Sequence, residues 1–333
     1  MLKTATLGFP RIGENRELKK AVEAHWKGAK SEADLQKDAS EIRNKNWNTQ
    51  KSNEISYVPS NDFSFYDQVL DTLALFGAVP DRYNFKGGNV DLELYFSMAR
   101  GAQKEGVDVT AMEMTKWFDT NYHYIVGEFK KDQKFAISST KIFDQYKEAK
   151  EAGTETRPVI IGPVTFLLAG KTVDGSEKLD LLDNLLVAYK ELVAKLNEAG
   201  VKDVQIDEPC LVTDLDEAAK KAYEKAFKVI NEAKGDIKDP SPIAEGIKRI
   251  EWADSDIPLL RAVRERFEVF NSFRLQYGLI NKSSTVITRR AISDCRQSSA
   301  AFCNAFMESS QSFGYDAALA HAFIGCGLNK AIA

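Results

Sequence analysis

The alternation of short apolar segments with amphipathic ones most constrains the fold of this chain. Five segments have the length and apolar content of strands, and segments with helical periodicity separate them. The predicted strands are Thr6–Pro10, Ile55–Pro59, Val109–Met114, Val159–Ile161 and Val204–Ile206. Strands that alternate with helices form βαβ units, whose strands run parallel in one sheet. The pattern therefore predicts an α/β fold.

Polar residues follow the ends of four predicted strands, at Arg11, Asn61–Asp62, Lys116–Asp119 and Asp207–Glu208. A TIM barrel carries its functional residues in the loops after its strands, so such a barrel predicts this arrangement. A doubly wound sheet would give the same alternation. No G-x-G-x-x-G sequence follows a predicted strand, so a dinucleotide-binding version of that fold has no support.

Capping residues and glycines set the expected bounds of the helices. Asn15 is the predicted N-cap of the first helix, and Asn61 and Asp62 are predicted to cap the third. Ser31 with Asp34, and Asp214 with Glu217, have capping-box spacing. The ranges predicted to be helical include Arg16–Lys27, Asp91–Gln103, Ile142–Ala152 and Leu179–Ala199, and a last helix ends near Lys234.

The opening stretch Leu7–Lys20, LGFPRIGENRELKK, combines a strand end, a tight turn and a cationic helix start. Arg16, Lys19 and Lys20 lie three and four residues apart, so a helix presents them on one face. Free N–H groups and the positive end of the helix dipole also attract anions. The stretch predicts a site for a phosphate or a polycarboxylate, and an ordinary solvated helix turn is the alternative.

The segment Lys116–Tyr124, KWFDTNYHY, is predicted to be a loop packed with aromatic side chains. Composition alone favours a place in the core for these aromatic residues. Lys116 is either a surface lysine or a binding residue.

Composition argues against several classes of function. The net charge of −4 gives no reason to expect nucleic acid or an anionic membrane as a partner. No apolar run approaches the roughly 20 residues that span a bilayer, and the N-terminus lacks the apolar core of a signal peptide. Four cysteines in 333 residues do not suggest a disulfide scaffold. We therefore expect a cytoplasmic protein with reduced thiols.

The histidines and cysteines do not form a zinc-binding pattern. His25, His123 and His321 lie far apart in the sequence. Cys295 and Cys303 are eight positions apart and His321 follows eighteen positions later, which is no standard zinc spacing. We expect neither a metal site nor a cofactor in this chain.

Several motifs, in the same order along the chain, resemble the N-terminal domain of cobalamin-independent methionine synthase. They are R-E-L-K-K after the opening strand, PSNDFSFYDQVLD at Pro59–Asp71, KWFDTNYHY, RPVIIGPVTFLLAG at Arg157–Gly170 and VQIDEP at Val204–Pro209. The resemblance covers about residues 3–232. It implies a fold of the (β/α)8 TIM-barrel type, incomplete here with about five βα units, followed by an unrelated C-terminal extension.

The resemblance also implies a substrate. In the family, the N-terminal barrel helps to hold the glutamate tail of the methyl donor, 5-methyltetrahydropteroyltriglutamate. The family residues with this role correspond to Arg16, Glu17, Leu18, Lys19 and Lys116 of this sequence. A tail of several carboxylates fits a cationic helix start.

The family's chemistry depends on zinc. His, Cys and Glu side chains of the C-terminal barrel hold the zinc, which binds homocysteine and lowers its thiol pKa. That barrel is not found in this sequence, so the resemblance implies a methyltransferase family but no catalytic residue or metal ligand here. Asp207 and Glu208 invite an acid–base role, but we expect them to cap or brace the end of their strand.

The sequence changes character near Gly235. Residues 237–267 resemble the N-terminal segment of S-adenosylhomocysteine hydrolase, through Ile250–Ala253, Pro258 and Arg264–Phe267. None of that enzyme's substrate- or cofactor-binding residues falls in the matched segment. A fusion of neighbouring reading frames and a sequencing or assembly artefact are alternative origins of the junction.

We therefore expect three parts: a partial barrel at 1–234, the hydrolase-like segment at 235–267 and an unassigned tail at 268–333. Three functional hypotheses follow. The chain is a methionine-synthase-related protein that binds the folate tail, a non-catalytic module that binds polyanions, or a truncated or chimeric gene product.

Overall fold

The computed structural model describes residues 4–104 and 107–233. Of these, all except residues 211–214 belong to one compact unit. The helices are α1 (Glu17–Trp26), α2 (Glu32–Ser52), α3 (Gln68–Leu75), α4 (Leu92–Arg100), α5 (Lys141–Glu151), α6 (Pro163–Leu168), α7 (Leu182–Glu198) and α8 (Glu217–Ala233). The strands are β1 (Val58–Ser60), β2 (Ala102–Lys104), β3 (Val107–Val109), β4 (Met114–Lys116), β5 (His123–Ile125), β6 (Glu128–Phe129), β7 (Thr156–Ile161), β8 (Lys171–Thr172) and β9 (Gln205–Asp207). Short 3-10 helices lie at Asp81–Tyr83, Lys178–Leu181 and Pro209–Val212.

The main sheet is parallel, as the βαβ pattern predicts, and its order is β1–β7–β9. Ala5 adds a parallel bridge to Tyr57 on the other side of β1. Neighbours in this sheet therefore follow one another in chain order, which is typical of a barrel, whereas a doubly wound sheet reverses direction at a switch point. A closed eight-stranded barrel is not seen among residues 4–104 and 107–233.

Three predicted strands are confirmed with shifted bounds, as β1, β7 and β9, and two are wrong. Thr6–Pro10 forms no strand beyond the bridge at Ala5, because the Phe9 N–H donates to Asp62 and Pro10 has no N–H to donate. Val109–Met114 is not a strand either. It connects two antiparallel hairpins, β2–β3 and β4–β5, so Lys116 does not follow a strand of the parallel sheet.

One of the four predicted helix caps is confirmed. Ser31 caps α2 by accepting the Asp34 N–H at 3.1 Å, as predicted. The other three predicted caps are wrong: Arg16 rather than Asn15 precedes α1, Asp67 caps α3, and Asp216 accepts the Ala219 N–H at the start of α8. Asn61 cannot cap a helix here because its amide binds the Val159 carbonyl of the neighbouring strand.

Aromatic side chains fill the space between the sheet and its helices. Phe76, Phe166 and Tyr189 are buried, and the Phe76 ring lies 4.7 Å from that of Tyr189. Phe129 extends the cluster, with its ring centre 5.4 Å from that of Phe166. This packing fixes α3, α6 and α7 against one another and against β6.

No helix in the described ranges is both long and apolar enough to cross a bilayer. The hydrolase-like segment at 237–267 and the tail at 268–333 lie outside the described residues, so the expected division at residues 234 and 267 stays a prediction.

Candidate functional site

The turn before α1 is closed by a side chain of the helix itself. The Glu17 carboxylate accepts the Asn15 N–H at 2.9 Å and the Asn15 side-chain amide at 3.3 Å. Hydrogen bonds from the backbone N–H groups of Glu17 and Asn15 lower the pKa of Glu17. The Leu18 N–H donates to the Ile12 carbonyl at 3.2 Å. The N–H groups of Asn15, Glu17 and Leu18, which we expected to be free for an external anion, are therefore already used inside the turn.

The cations of the opening stretch lie on the surface around this turn. Arg16 is exposed and adopts a left-handed conformation, with φ 61°. Lys19 lies 3.7 Å from Glu23, one helical turn further along α1, and both side chains are about half exposed. Lys20 is exposed as well. Leu18 differs from them, because its side chain is only 3% exposed and packs into the core.

Lys116 lies at the end of β4, in a hairpin rather than in a βα loop. It is paired in register with His123 of β5, and both residues are exposed. The hairpin turn is tight, since the Trp117 N–H donates to the Tyr122 carbonyl at 2.7 Å. Phe118 in this turn has φ 51°, a conformation that is strained for an aromatic residue.

Composition favoured a place in the core for the aromatic residues of Lys116–Tyr124. This expectation is wrong for the residues in the turn of the hairpin. Tyr122 is 71% exposed and Phe118 is 37% exposed. The Trp117 ring contacts the rings of Phe118 and Tyr124 edge-on, with centres 5.0 and 5.2 Å away. The turn therefore presents aromatic surface to solvent beside Lys116.

Tyr66 connects the opening loop with the hairpin. The Arg11 guanidinium donates to the Tyr66 carbonyl oxygen, and the Tyr66 hydroxyl donates to Met114 Sδ at 3.8 Å. Met114 begins the strand that ends at Lys116. The loop that leads into α1 and the hairpin of Lys116 thus contact opposite ends of one residue.

The buried Asp67 side chain connects the hairpin to the start of α3. Its Oδ1 accepts the N–H groups of Val69 and Leu70 at 2.7 and 2.8 Å, and its Oδ2 accepts the Ile125 N–H at 3.0 Å. Burial raises the pKa of Asp67 to about 7 in spite of these hydrogen bonds. We did not predict this residue, although an aspartate directly before the apolar run QVLDTLAL is a capping signal.

Glu208 caps the helix α6, whereas we expected the Asp207–Glu208 pair to cap or brace the end of its own strand. Its carboxylate accepts the Val164 N–H at 3.1 Å and the Thr165 N–H at 2.7 Å, at the start of α6. Burial raises the pKa of Glu208 to about 7. A Cβ atom on Gly162 would lie 2.2 Å from the Glu208 carboxyl carbon, so only glycine fits there. The Glu208 carboxylate therefore has a structural role as a helix cap.

A small cavity of about 140 Å³ lies at the carboxyl ends of the parallel strands, lined by Asn61, Asp62 and Asp207 among others. The Lys141 ammonium group donates to Asn61 at 2.7 Å and lies 3.2 Å from Asp71. Burial lowers the pKa of Lys141, and it raises that of Asp62. We did not predict a role for Lys141 or Asp71, because neither follows directly after a predicted strand.

No group of three or more His, Cys, Asp or Glu side chains in the described part of the chain could hold a metal ion. His25 donates to the Lys30 carbonyl at 3.0 Å, and His123 lies beside the Asn121 carbonyl. Cys210 is buried, and burial raises its thiol pKa. These residues do not fit the family's zinc, and the other cysteines and His321 lie outside the described residues.

Comparison with known proteins gives a match over most of the chain. Residues 3–239 match the family described as "Cobalamin-independent synthase, N-terminal domain". A 5-methyltetrahydropteroyltriglutamate–homocysteine methyltransferase from Salinibacter ruber is 52% identical over 239 residues, which cover 70% of this chain. Enzymes of the same name from Xylella fastidiosa strain M23 and Flavobacterium johnsoniae are each 51% identical over 70% and 69% of the chain.

The match covers only part of each relative. It spans 31% of the Salinibacter and Xylella enzymes and 30% of the Flavobacterium enzyme. The order and spacing of the sequence motifs, the parallel sheet and the family match agree with one another. The chain therefore belongs to the cobalamin-independent methionine synthase family, through the N-terminal domain of that family.

Proposed function

We propose that this chain binds the polyglutamate tail of a methyltetrahydrofolate, with 5-methyltetrahydropteroyltriglutamate as the ligand. The residues that we propose for this role are Arg16, Glu17, Leu18, Lys19 and Lys116. The name of the relatives includes this triglutamate compound. The observation that carries the proposal is the contact of Tyr66 with both the opening loop and the hairpin, because it links the two segments that supply the cations.

The charges of these segments suit a chain of carboxylates. Arg16, Lys20 and Lys116 are exposed, and within the described ranges none of the three forms an ion pair. Lys19 has Glu23 as a neighbour at 3.7 Å, but both side chains are solvated, and such pairs are weak. Exposed cations can turn toward a polyanion at little cost, since they lose only a weak partner or none.

The five residues have different parts in this proposal. Arg16, Lys19 and Lys116 would contact the tail carboxylates directly through charge-assisted hydrogen bonds. Glu17 would hold the turn in shape, since its carboxylate binds Asn15. Leu18 would fix α1 to the core through its buried side chain. The tail would therefore meet side-chain cations rather than the backbone N–H groups of the helix.

We propose no methyl transfer by this chain alone. The reaction named for the relatives moves a methyl group from a folate nitrogen to the homocysteine sulfur. One C–N bond breaks, one C–S bond forms, and the sulfur must attack as a thiolate. A metal ligand set that would stabilise a thiolate is not found among the described residues. We expect no methionine when the purified chain is supplied with zinc, homocysteine and the triglutamate methyl donor.

Calorimetric titration with methyltetrahydrofolate that carries one or three glutamates tests the binding role. We expect the triglutamate to bind about ten-fold more tightly at low salt, because further carboxylates reach the cations. Lys116→Ala and Lys19→Ala should each weaken triglutamate binding about three- to ten-fold and change monoglutamate binding little. Glu23→Gln should strengthen triglutamate binding slightly, because it releases Lys19.

Lys190→Ala is the matched control, because Lys190 is an exposed lysine on α7. It should leave both affinities unchanged. Equal losses of mono- and triglutamate binding in the Lys19 and Lys116 variants would reject the tail-binding role. Competition by tripolyphosphate as strong as by triglutamate would instead favour the alternative, a general polyanion-binding module.

A further inference from the structure

The cavity at the carboxyl ends of the parallel strands contains a lysine that the tail-binding proposal does not use. Lys141, Asp62, Asp71 and Asp207 are the charged residues among those that line this cavity of about 140 Å³. None of the five residues proposed for the folate tail lines it. In folds with parallel βα units, ligands bind at this end of the sheet. The position of the cavity therefore makes it a candidate for a second site.

Lys141, the first residue of α5, places its ammonium group at the wall of this cavity. Its Nζ donates to Asn61 Oδ1 at 2.7 Å and lies 3.2 Å from Asp71 Oδ2, and both partners also line the cavity. An ammonium group has three N–H donors, so these two contacts leave one for a ligand. The Lys141 side chain is 24% exposed, so a small molecule can reach it.

Neighbouring groups hold both partners of Lys141 in place. Asp71 accepts the Tyr95 hydroxyl at 2.7 Å and the Ser64 hydroxyl at 2.6 Å. The Asn61 amide donates to the Val159 carbonyl at 2.8 Å. The Lys141 Nζ atom is therefore positioned before a ligand arrives, and such positioning favours reaction at one defined point.

The surroundings of Lys141 also favour its neutral form. Burial lowers the pKa of Lys141, and the attraction of Asp71 offsets this effect only in part. A lysine in such surroundings gives up its proton more easily than a surface lysine does. The resulting neutral amine is a nucleophile that can form an imine with a carbonyl compound.

The size and charge of the cavity limit the carbonyl compound. A cavity of about 150 Å³ holds a benzene molecule, so about six heavy atoms fit here. Three carboxylates and one ammonium group line the cavity, so a carboxylate or phosphate on the ligand would be repelled. Gln68 and Thr72 add hydrogen-bonding groups, and Leu75 and Ile142 add apolar surface. A neutral hydroxyaldehyde with three carbon atoms meets these limits.

We propose that Lys141 forms an imine with a small neutral hydroxyaldehyde in this cavity. The ammonium group first gives a proton to Asp71, and the neutral amine then attacks the carbonyl carbon. A C–N bond forms, and a hydrogen moves from the nitrogen to the carbonyl oxygen, which becomes a hydroxyl group. Asp71 returns its proton to that hydroxyl group, which leaves as water.

The sum of these steps is ammonium plus aldehyde to protonated imine plus water, so no oxidant or reductant is consumed. The ligand, the cavity and the reacting lysine all differ from those of the tail-binding role. The two proposals therefore stand or fall independently.

The test is reductive trapping of the full chain with glyceraldehyde and sodium cyanoborohydride. The hydride reagent reduces an imine to a stable secondary amine, and peptide mass spectrometry measures this modification at each lysine. At about pH 7 we expect Lys141 to be modified at least about ten-fold faster than Lys190, an exposed lysine of α7. Modification of Lys141 at the same rate as Lys190, or more slowly, would overturn the proposal.

Glyoxylate separates a selective cavity from a lysine that reacts with any aldehyde. Its carboxylate should be repelled by the cavity, so the ratio of Lys141 to Lys190 modification should fall at least about five-fold relative to glyceraldehyde. An equal ratio for both aldehydes would contradict the proposed ligand class.

Lys141→Arg keeps a positive charge beside Asp71 but cannot form an imine. We expect this variant to lose the fast phase of glyceraldehyde incorporation, measured as intact mass, with an unchanged Tm. A fast phase that persists in the folded variant would assign the reaction to another lysine. Should the variant fail to fold, the modification rates measured at each lysine of the wild type still decide the proposal.

Discussion

The Asp67 carboxylate accepts the backbone N–H of Ile125 at 3.0 Å while it caps α3, so one buried side chain connects a core helix to the hairpin of Lys116. Two further hydrogen bonds connect the hairpin to the fold, from the Tyr66 hydroxyl to Met114 Sδ and from the Tyr124 hydroxyl to the Ala169 carbonyl at 2.9 Å. The position of the proposed binding lysine therefore depends on a residue that does not face the ligand.

Asp67→Ala should lower the free energy of unfolding by about 3 kcal/mol or more, because three buried N–H groups lose their acceptor. Asp67→Asn should cost less, since its amide oxygen can still cap α3. Urea denaturation measures both changes. Asp34→Ala, at an exposed position in the first turn of α2, is the control and should cost under about 1 kcal/mol. A loss that small for Asp67→Ala would contradict the anchoring role.

Glu208 should make stability depend on pH. Burial raises its pKa in the folded state from 4.5 to about 7, so the folded protein keeps a proton that the unfolded chain releases. Its contribution is fully present below about pH 4.5 and is lost as the pH rises through about 7.

Glu208→Gln cannot titrate, so the stability advantage of the wild type over this variant should shrink between about pH 5 and pH 8. The expected decrease is at most about 3 kcal/mol, at about 1.4 kcal/mol per pKa unit. Chemical denaturation across this range measures it, with the exposed Glu191→Gln as baseline. An advantage that stays constant or grows with pH would show that the Glu208 pKa is not raised.

Gly162→Ala should destabilise the protein by about 2 kcal/mol or more, because the new Cβ would lie 2.2 Å from the Glu208 carboxyl group. The same change at Gly8, where the nearest atom is 3.7 Å away, should cost little. If the Glu208 contact is the cause, Gly162→Ala should cost less in a Glu208→Ala background, and thermal unfolding of the double variant checks this. If the stability losses of Gly162→Ala and Glu208→Ala are strictly additive, the loss in Gly162→Ala comes from another contact.

A comparison of two tryptophans can measure how much one hydrogen bond contributes to the free energy of unfolding. Trp47 is 2% exposed and donates to the Pro59 carbonyl at 3.1 Å, whereas the buried indole N–H of Trp26 has no acceptor among the described residues. Trp47→Phe should cost about 2–3 kcal/mol, because a carbonyl loses its donor and a cavity forms.

Trp26→Phe should cost under about 1 kcal/mol, because it removes no hydrogen bond and keeps an aromatic face for Arg100. Urea denaturation of both variants measures the difference. If both variants lose the same free energy of unfolding, the lost side-chain volume and not the lost hydrogen bond explains the effect of Trp47→Phe.

The sequence alone determined the features whose causes are local or shared by a whole family. Ser31 caps its helix because its partner is three residues away, and the same holds for Asp91 at the start of α4. The apolar run that became β7 was recognisable because a strand buried on both faces needs little polar surface. The ordered motifs were sufficient to identify the family, which the match over residues 3–239 confirms.

Only the tertiary structure decided which distant residues meet. The Asp62 carboxylate accepts the Phe9 N–H and so keeps Phe9 out of the predicted opening strand, and the Asn61 amide binds the Val159 carbonyl instead of capping α3. Likewise, the pairing of β4 with β5 set Lys116 in a hairpin, and the packing of α5 placed Lys141 beside Asn61 and Asp71. Periodicity and capping signals depend on neighbours within a few residues, whereas these contacts depend on the burial of groups that are far apart in the chain.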